Sequence, residues 1–95
     1  MEDKQICILG ITYTIKEVEY ISRDNIADGE INYSTDEIKL VKSLPKDRKE
    51  QTLMHELVHA VFEGLGMNEL NSNEQLVQTL SAVLYQLFKS QIIFS

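Results

Sequence analysis

Residues 55–59 read His-Glu-Leu-Val-His. On a helix, residues four apart lie on one face, about 6 Å apart along the axis. Two imidazoles placed this way can converge on one zinc ion at about 2.0–2.1 Å. Glu56 sits one step round the helix and can reach a water on the open side of the metal. Zinc lowers the pKa of such a water towards about 7, and the glutamate can take its proton as general base. The chain has 2 histidines. Chance placement puts them four apart, with glutamate after the first, on the order of once in five hundred arrangements, so the spacing is more than composition noise. The bland alternative is a pair of exposed histidines on a solvated helix face.

A catalytic zinc normally takes three protein ligands, and a third histidine does not exist in this chain. Phe62 and Leu65 occupy the places where the HExxHxxGxxH pattern needs glycine and histidine. The acids beyond His59 are Glu63, Glu69 and Glu74. Glu63, on the same helix, would stand about 12 Å along the axis from His55, too far to share one ion. Glu69, expected in the loop between two helices, remains open. Glu74 begins the second helix, where packing against the first can bring its carboxylate to the metal. Glu74 also fits a helix start. Asn71 with Glu74, or Ser72 with Gln75, has the spacing of a capping box. A first-turn carboxylate is favoured by the helix dipole too. The need for three ligands favours Glu74 as the ligand.

These side chains need two helices to carry them. From Pro45, which suits a first helical turn, Leu53, Leu57 and Val61 recur every four residues, with Met54, Val58 and Phe62 beside them. The pattern predicts an amphipathic helix over about residues 45–64, stopped by Gly64 and Gly66. A second helix is predicted from about Asn71–Ser72 to residue 90. Its apolar face is Leu76, Leu80, Val83 and Leu87, widened by Val77, Leu84 and Phe88. Residues 5–20 are rich in Ile, Val, Thr and Tyr and predict one or two strands, with the alternation slipping near Gly10. Residues 22–29 carry loop residues. The alternating stretches Glu30–Tyr33 and Ile38–Val41 flank Ser34–Glu37 and predict a hairpin. Ile92, Ile93 and Phe94 form a short apolar tail.

The expected architecture is therefore one α+β domain spanning residues 1–95, with a small, mainly antiparallel sheet from the first half packed on two helices. The composition agrees: 43% of residues are hydrophobic and 25% charged, enough for a small core and unlike a disordered chain. The net charge of −6 argues against a nucleic-acid partner. The one basic cluster, Lys42, Lys46, Arg48 and Lys49, reads as a solvated face at a helix start. No run approaches the length of a membrane helix, and the start Met1-Glu2-Asp3-Lys4 does not read as a signal peptide. Cys7, the single cysteine, cannot form an intrachain disulfide. In the apolar run Ile6–Leu9 it reads as a small buried hydrophobe. The expected location is cytoplasmic.

The run Met54-His55-Glu56-Leu57-Val58-His59-Ala60, followed after a short loop by Asn73-Glu74, resembles the core of the gluzincin metallopeptidases. The length and element order resemble the single-domain minigluzincins and the small ImmA/IrrE-type metallopeptidases often encoded by phages. The likeness extends from Gly29-Glu30-Ile31-Asn32-Tyr33 through Gln51-Thr52-Leu53 to Leu84-Tyr85-Gln86-Leu87. It implies a minimal peptidase with one zinc per chain held by His55, His59 and Glu74, with Glu56 as catalytic base. It also implies that the 31–41 hairpin holds an extended peptide beside the metal. Two departures stand out. Where larger gluzincins place an aspartate four residues after the ligand glutamate, this chain has Gln78, which can accept the same hydrogen bond but supplies no charge. The residue that steadies the oxyanion is unassigned. Tyr85 lies about 16 Å along the helix from Glu74. Tyr33, on the hairpin, is the candidate, alongside an ordinary cross-strand packing role.

The function expected is zinc-dependent hydrolysis of a peptide or protein substrate. The alternative is a non-catalytic, zinc-containing or vestigial peptidase-like protein that binds a host or regulatory protein. A purely structural zinc domain fits poorly with Glu56 beside an open metal position.

Overall fold

The computed structural model describes residues 3–22 and 27–90. The middle of the loop expected over 22–29 and the apolar tail Ile92–Phe94 lie outside the described residues.

Strands β1 (Lys4–Ile8) and β2 (Ile11–Val18) form an antiparallel hairpin with Ile8 opposite Ile11. Leu9 and Gly10 between them have φ of 51° and 86°. A two-residue turn of this kind needs positive φ at both positions, which glycine accepts and leucine resists. This is the slip near Gly10. Strands β3 (Gly29–Asn32) and β4 (Glu37–Val41) form the second hairpin. The Asn32 side chain closes its turn by accepting from the backbone of Ser34 at 2.9 Å. The sheet order is β1-β2-β4-β3, so β4 lies between β2 and β3 and pairs with β2 in parallel. The sheet is otherwise antiparallel, and β3 forms one edge.

Alternation decides which residues reach the core, since successive strand side chains point to opposite faces. Tyr13, Ile38 and Leu40 are buried with Ala60, and Ile6, Ile8, Ile15, Ile31, Leu53 and Leu57 pack against them. The other face is polar, with Lys16 and Glu37 paired at 2.6 Å. Cys7 falls on that outer face and is exposed. The expectation of a buried cysteine was wrong because the apolar run Ile6–Leu9 straddles both faces of a strand and the turn beyond it.

Helix α1 (Lys46–Gly64) lies across the sheet. Gly66, with φ of 70°, ends it as Met67 N–H donates to the Phe62 carbonyl at 2.9 Å. The helix has two apolar faces. Leu53, Leu57 and Ala60 meet the sheet, while Val58 and Phe62 meet α3 (Glu74–Ser90) through Val77, Leu76, Leu80 and Leu84. Between them comes α2 (Asn68–Asn71), a single turn that the periodicity does not predict. Among the described residues helix α3 packs mainly on α1, with a smaller contact to α2, so the apolar face it buries is narrower than expected. Val83, Leu87 and Phe88 remain exposed. Ser81 is fully buried against α1, its hydroxyl donating to the Gln78 carbonyl.

The basic cluster is partly paired. Arg48 bonds Asp28 at 2.8 Å and Lys49 bonds Glu17 at 2.5 Å. No helix among the described residues is long and apolar enough to cross a membrane.

Candidate metal centre

His55 and His59 lie on the flank of α1 between its two apolar faces. Their side chains are 20% and 12% exposed, which excludes the solvated-face alternative. Their rings stand 5.0 Å apart, centroid to centroid. Helix α3 begins opposite them. The Glu74 carboxylate meets both rings, with Oε1 at 3.0 Å from His59 Nε2 and Oε2 at 3.3 Å from His55 Nε2. The ligand atoms of these three residues all lie within 4.8 Å of one another. Glu69 sits in α2, and the cluster does not include it.

The far side of each ring fixes its chemistry. His55 Nδ1 meets Gln78 Oε1 at 2.9 Å, and His59 Nδ1 meets Asn71 Oδ1 at 2.6 Å. An amide oxygen only accepts, so each Nδ1 carries a proton, and in the neutral imidazole each Nε2 then carries a lone pair. In that form two lone pairs face a carboxylate. Neutral imidazoles in this tautomer give such contacts no proton to share, and the contacts favour a cation between the three groups. Donor atoms about 2.0–2.1 Å from a tetrahedral ion stand about 3.3 Å apart, close to the two distances observed. The donor set fits zinc.

Glu56 lies next to His55 on α1 and outside the three-residue cluster. It is buried, 7% exposed, beneath the edge strand β3. Burial raises its pKa, and the neighbouring histidines act in the opposite direction. The close approach depends on Gly29. A Cβ there would stand 2.5 Å from Thr52 Cγ2 and 3.2 Å from Glu56 Oε2.

Tyr33 follows β3 directly and is 37% exposed. Its hydroxyl accepts from Asn71 Nδ2 at 3.2 Å and donates to the His59 carbonyl at 3.4 Å. Burial is the largest cause of its raised pKa. The structure thus brings Tyr33 to the back of His59. Tyr85 is at the other end of α3, donating to Glu50 at 3.0 Å.

Sequence reasoning missed Asn71 as a histidine partner. It assigned Asn71, with Ser72 as the alternative, to a capping box. The structure caps α3 with Asn73 instead, whose Oδ1 accepts from Leu76 N–H at 3.0 Å. Ser72 donates to the Glu69 carbonyl. The acceptor that makes asparagine a good cap makes it equally good at holding an imidazole N–H, so residue type alone does not separate the two roles. Gln78, read as the hydrogen-bond acceptor for a ligand histidine, is in that position. No family model, curated protein or solved structure matches the chain.

Proposed function

We propose that the chain is a zinc-dependent metallopeptidase of gluzincin type, with one zinc held by His55, His59 and Glu74. The observation that carries this reading is the pair of Nε2 atoms turned on the Glu74 carboxylate, each ring held from behind by an amide oxygen. When bound, zinc would polarise the scissile carbonyl and acidify a water. Glu56 accepts the proton of the attacking water and delivers it to the leaving amine. Its burial suits the task, because a carboxylate with a raised pKa is a stronger base. Gln78 and Asn71 keep the two rings aimed and, in the neutral imidazoles, hold the proton on Nδ1 so that Nε2 is the ligand atom. The substrate class is a peptide or protein. A cytoplasmic setting agrees with the free, exposed Cys7.

The test is metal analysis followed by Glu56→Gln. The wild type should hold about one zinc per chain. The variant should keep the metal and lose hydrolysis of a peptide library. Unchanged hydrolysis would remove Glu56 from the mechanism. A zinc-loaded wild type that cleaves nothing would favour the binding-protein reading.

A further inference from the structure

The hydrogen bonds behind His59 form a closed ring. The Tyr33 hydroxyl donates to the His59 carbonyl, Asn71 Nδ2 donates to the Tyr33 oxygen, and His59 Nδ1 donates to Asn71 Oδ1. The chain of donors begins and ends on one residue, so the imidazole is fixed relative to its own backbone. An asparagine amide has two nearly isosteric orientations. If Asn71 were turned over, its NH2 would face His59 Nδ1 and favour the opposite tautomer, with the proton on Nε2. In that tautomer Nε2 has no lone pair for a metal. The Tyr33 hydroxyl disfavours the turned form, which would draw its hydrogen away from the His59 carbonyl. With its hydrogen directed at the carbonyl, it offers Asn71 only a lone pair, and only the NH2 side of the amide can use it. The other histidine lacks this device. Gln78 meets His55 through one oxygen, and among the described residues no hydrogen bond holds its amide nitrogen.

We propose that Tyr33 and Asn71 are positioning residues: Tyr33 sets the orientation of the Asn71 amide, and through it the tautomer of His59 and the metal affinity of the site. The inference rests on the zinc reading for its effect on affinity, but not for its effect on the tautomer. It also gives Tyr33 work on the far side of His59 from the reacting atoms.

The experiment uses the full chain and four variants: Tyr33→Phe, Asn71→Ala, Asn71→Asp and the double variant Tyr33→Phe/Asn71→Asp. Two quantities are read. Long-range 1H–15N spectra of the metal-free protein at about pH 8.5, where an ordinary imidazole is neutral, report the His59 tautomer. Competition with a chelator reports zinc affinity. Asn71→Ala should weaken zinc about 10–100-fold, the usual effect of losing an outer partner. Tyr33→Phe should shift the tautomer towards Nε2–H and weaken zinc about 3–10-fold, since it acts through Asn71. A carboxylate has no NH2 side to present. Tyr33→Phe in the Asn71→Asp background should therefore change neither quantity. A purely structural role for Tyr33 would weaken both backgrounds alike, and that result overturns the proposal. So does a His59 tautomer unaffected by Tyr33→Phe. If the tautomer responds as expected but the wild type binds no zinc, the relay stands and the metallopeptidase reading falls.

Discussion

Gly29→Ala is a small change with a large expected effect. The glycine lies on edge strand β3 where it crosses α1, and a Cβ there would come within 2.5 Å of Thr52 Cγ2. Carbon atoms in contact sit about 3.5–4.0 Å apart, so strand and helix must part by about 1 Å or Thr52 must leave its rotamer. Overpacking of this kind costs about 1–3 kcal/mol. Replacing glycine also restricts the unfolded chain, which returns about 0.4–1 kcal/mol. The net loss is about 1–2 kcal/mol. For a domain of this size that lowers Tm by about 4–8 °C per kcal/mol. Thr52→Ser removes the clashing methyl and alone costs about 0.5–1.5 kcal/mol, like other single-methyl deletions. The double variant should recover at least about 0.5 kcal/mol relative to the sum of the singles. Urea denaturation of the four proteins measures this coupling. A Gly29→Ala variant as stable as wild type, with no coupling to Thr52→Ser, would refute the close approach of β3 to α1 that buries Glu56.

Four further expectations follow from the same geometry. Glu74→Ala should weaken zinc by more than about 100-fold, beyond the 10–100-fold usual for an outer partner, while Glu69→Ala leaves affinity unchanged; a chelator titration reads both. Leu9→Asn should raise stability by about 1 kcal/mol in urea melts, because asparagine tolerates the left-handed conformation that leucine adopts at φ 51°. Glu37 and Glu50 have lowered pKa values, held down first by hydrogen bonds from Lys16 and Tyr85 respectively. Their folded pKa values lie below the unfolded ones, so their contribution is complete above about pH 4.5 and disappears as pH falls through the folded values. Urea midpoints should fall below that pH, and less so in Glu37→Gln. Glu56 has the opposite sign, with its pKa raised by burial. Its contribution is present below the unfolded pKa and is lost as pH rises through the folded value. Glu56→Gln should therefore raise the Tm of the metal-free protein at pH 7 and leave it unchanged at about pH 3.5.

Much of the site was legible because it depends on short-range regularities. The four-residue repeat that predicts α1 also places His55 and His59 on one face, and the position of Gly66 marks where that helix stops. Glu74 could be singled out because few acids follow His59 and Glu63 is too far along the axis. The features that escaped depend on contacts between distant segments or on ambiguous residue types. The parallel pairing of β2 with β4 joins Ile15 to Ile38, skipping β3, which comes between them in sequence but lies at the sheet edge, and nothing in local alternation specifies a partner. Val83, Leu87 and Phe88 fall within the apolar stripe of α3, yet among the described residues that helix packs mainly on α1, so part of the stripe stays uncovered. Cys7 was misplaced because a run of four apolar residues hides a period of two. Asn71 was misassigned because capping and imidazole support use the same acceptor oxygen. The one-turn α2 that carries it is too short to show a period.

The central claim is that His55, His59 and Glu74 hold zinc. Zinc K-edge X-ray absorption on the stoichiometrically loaded protein tests it most directly. The account predicts a first shell of nitrogen and oxygen at about 2.0–2.1 Å, with outer-shell scattering from two imidazoles, and loss of that signature in Glu74→Ala. A sulfur shell at about 2.3 Å, which only Cys7 or a methionine could supply, or a spectrum unchanged by Glu74→Ala, would contradict it.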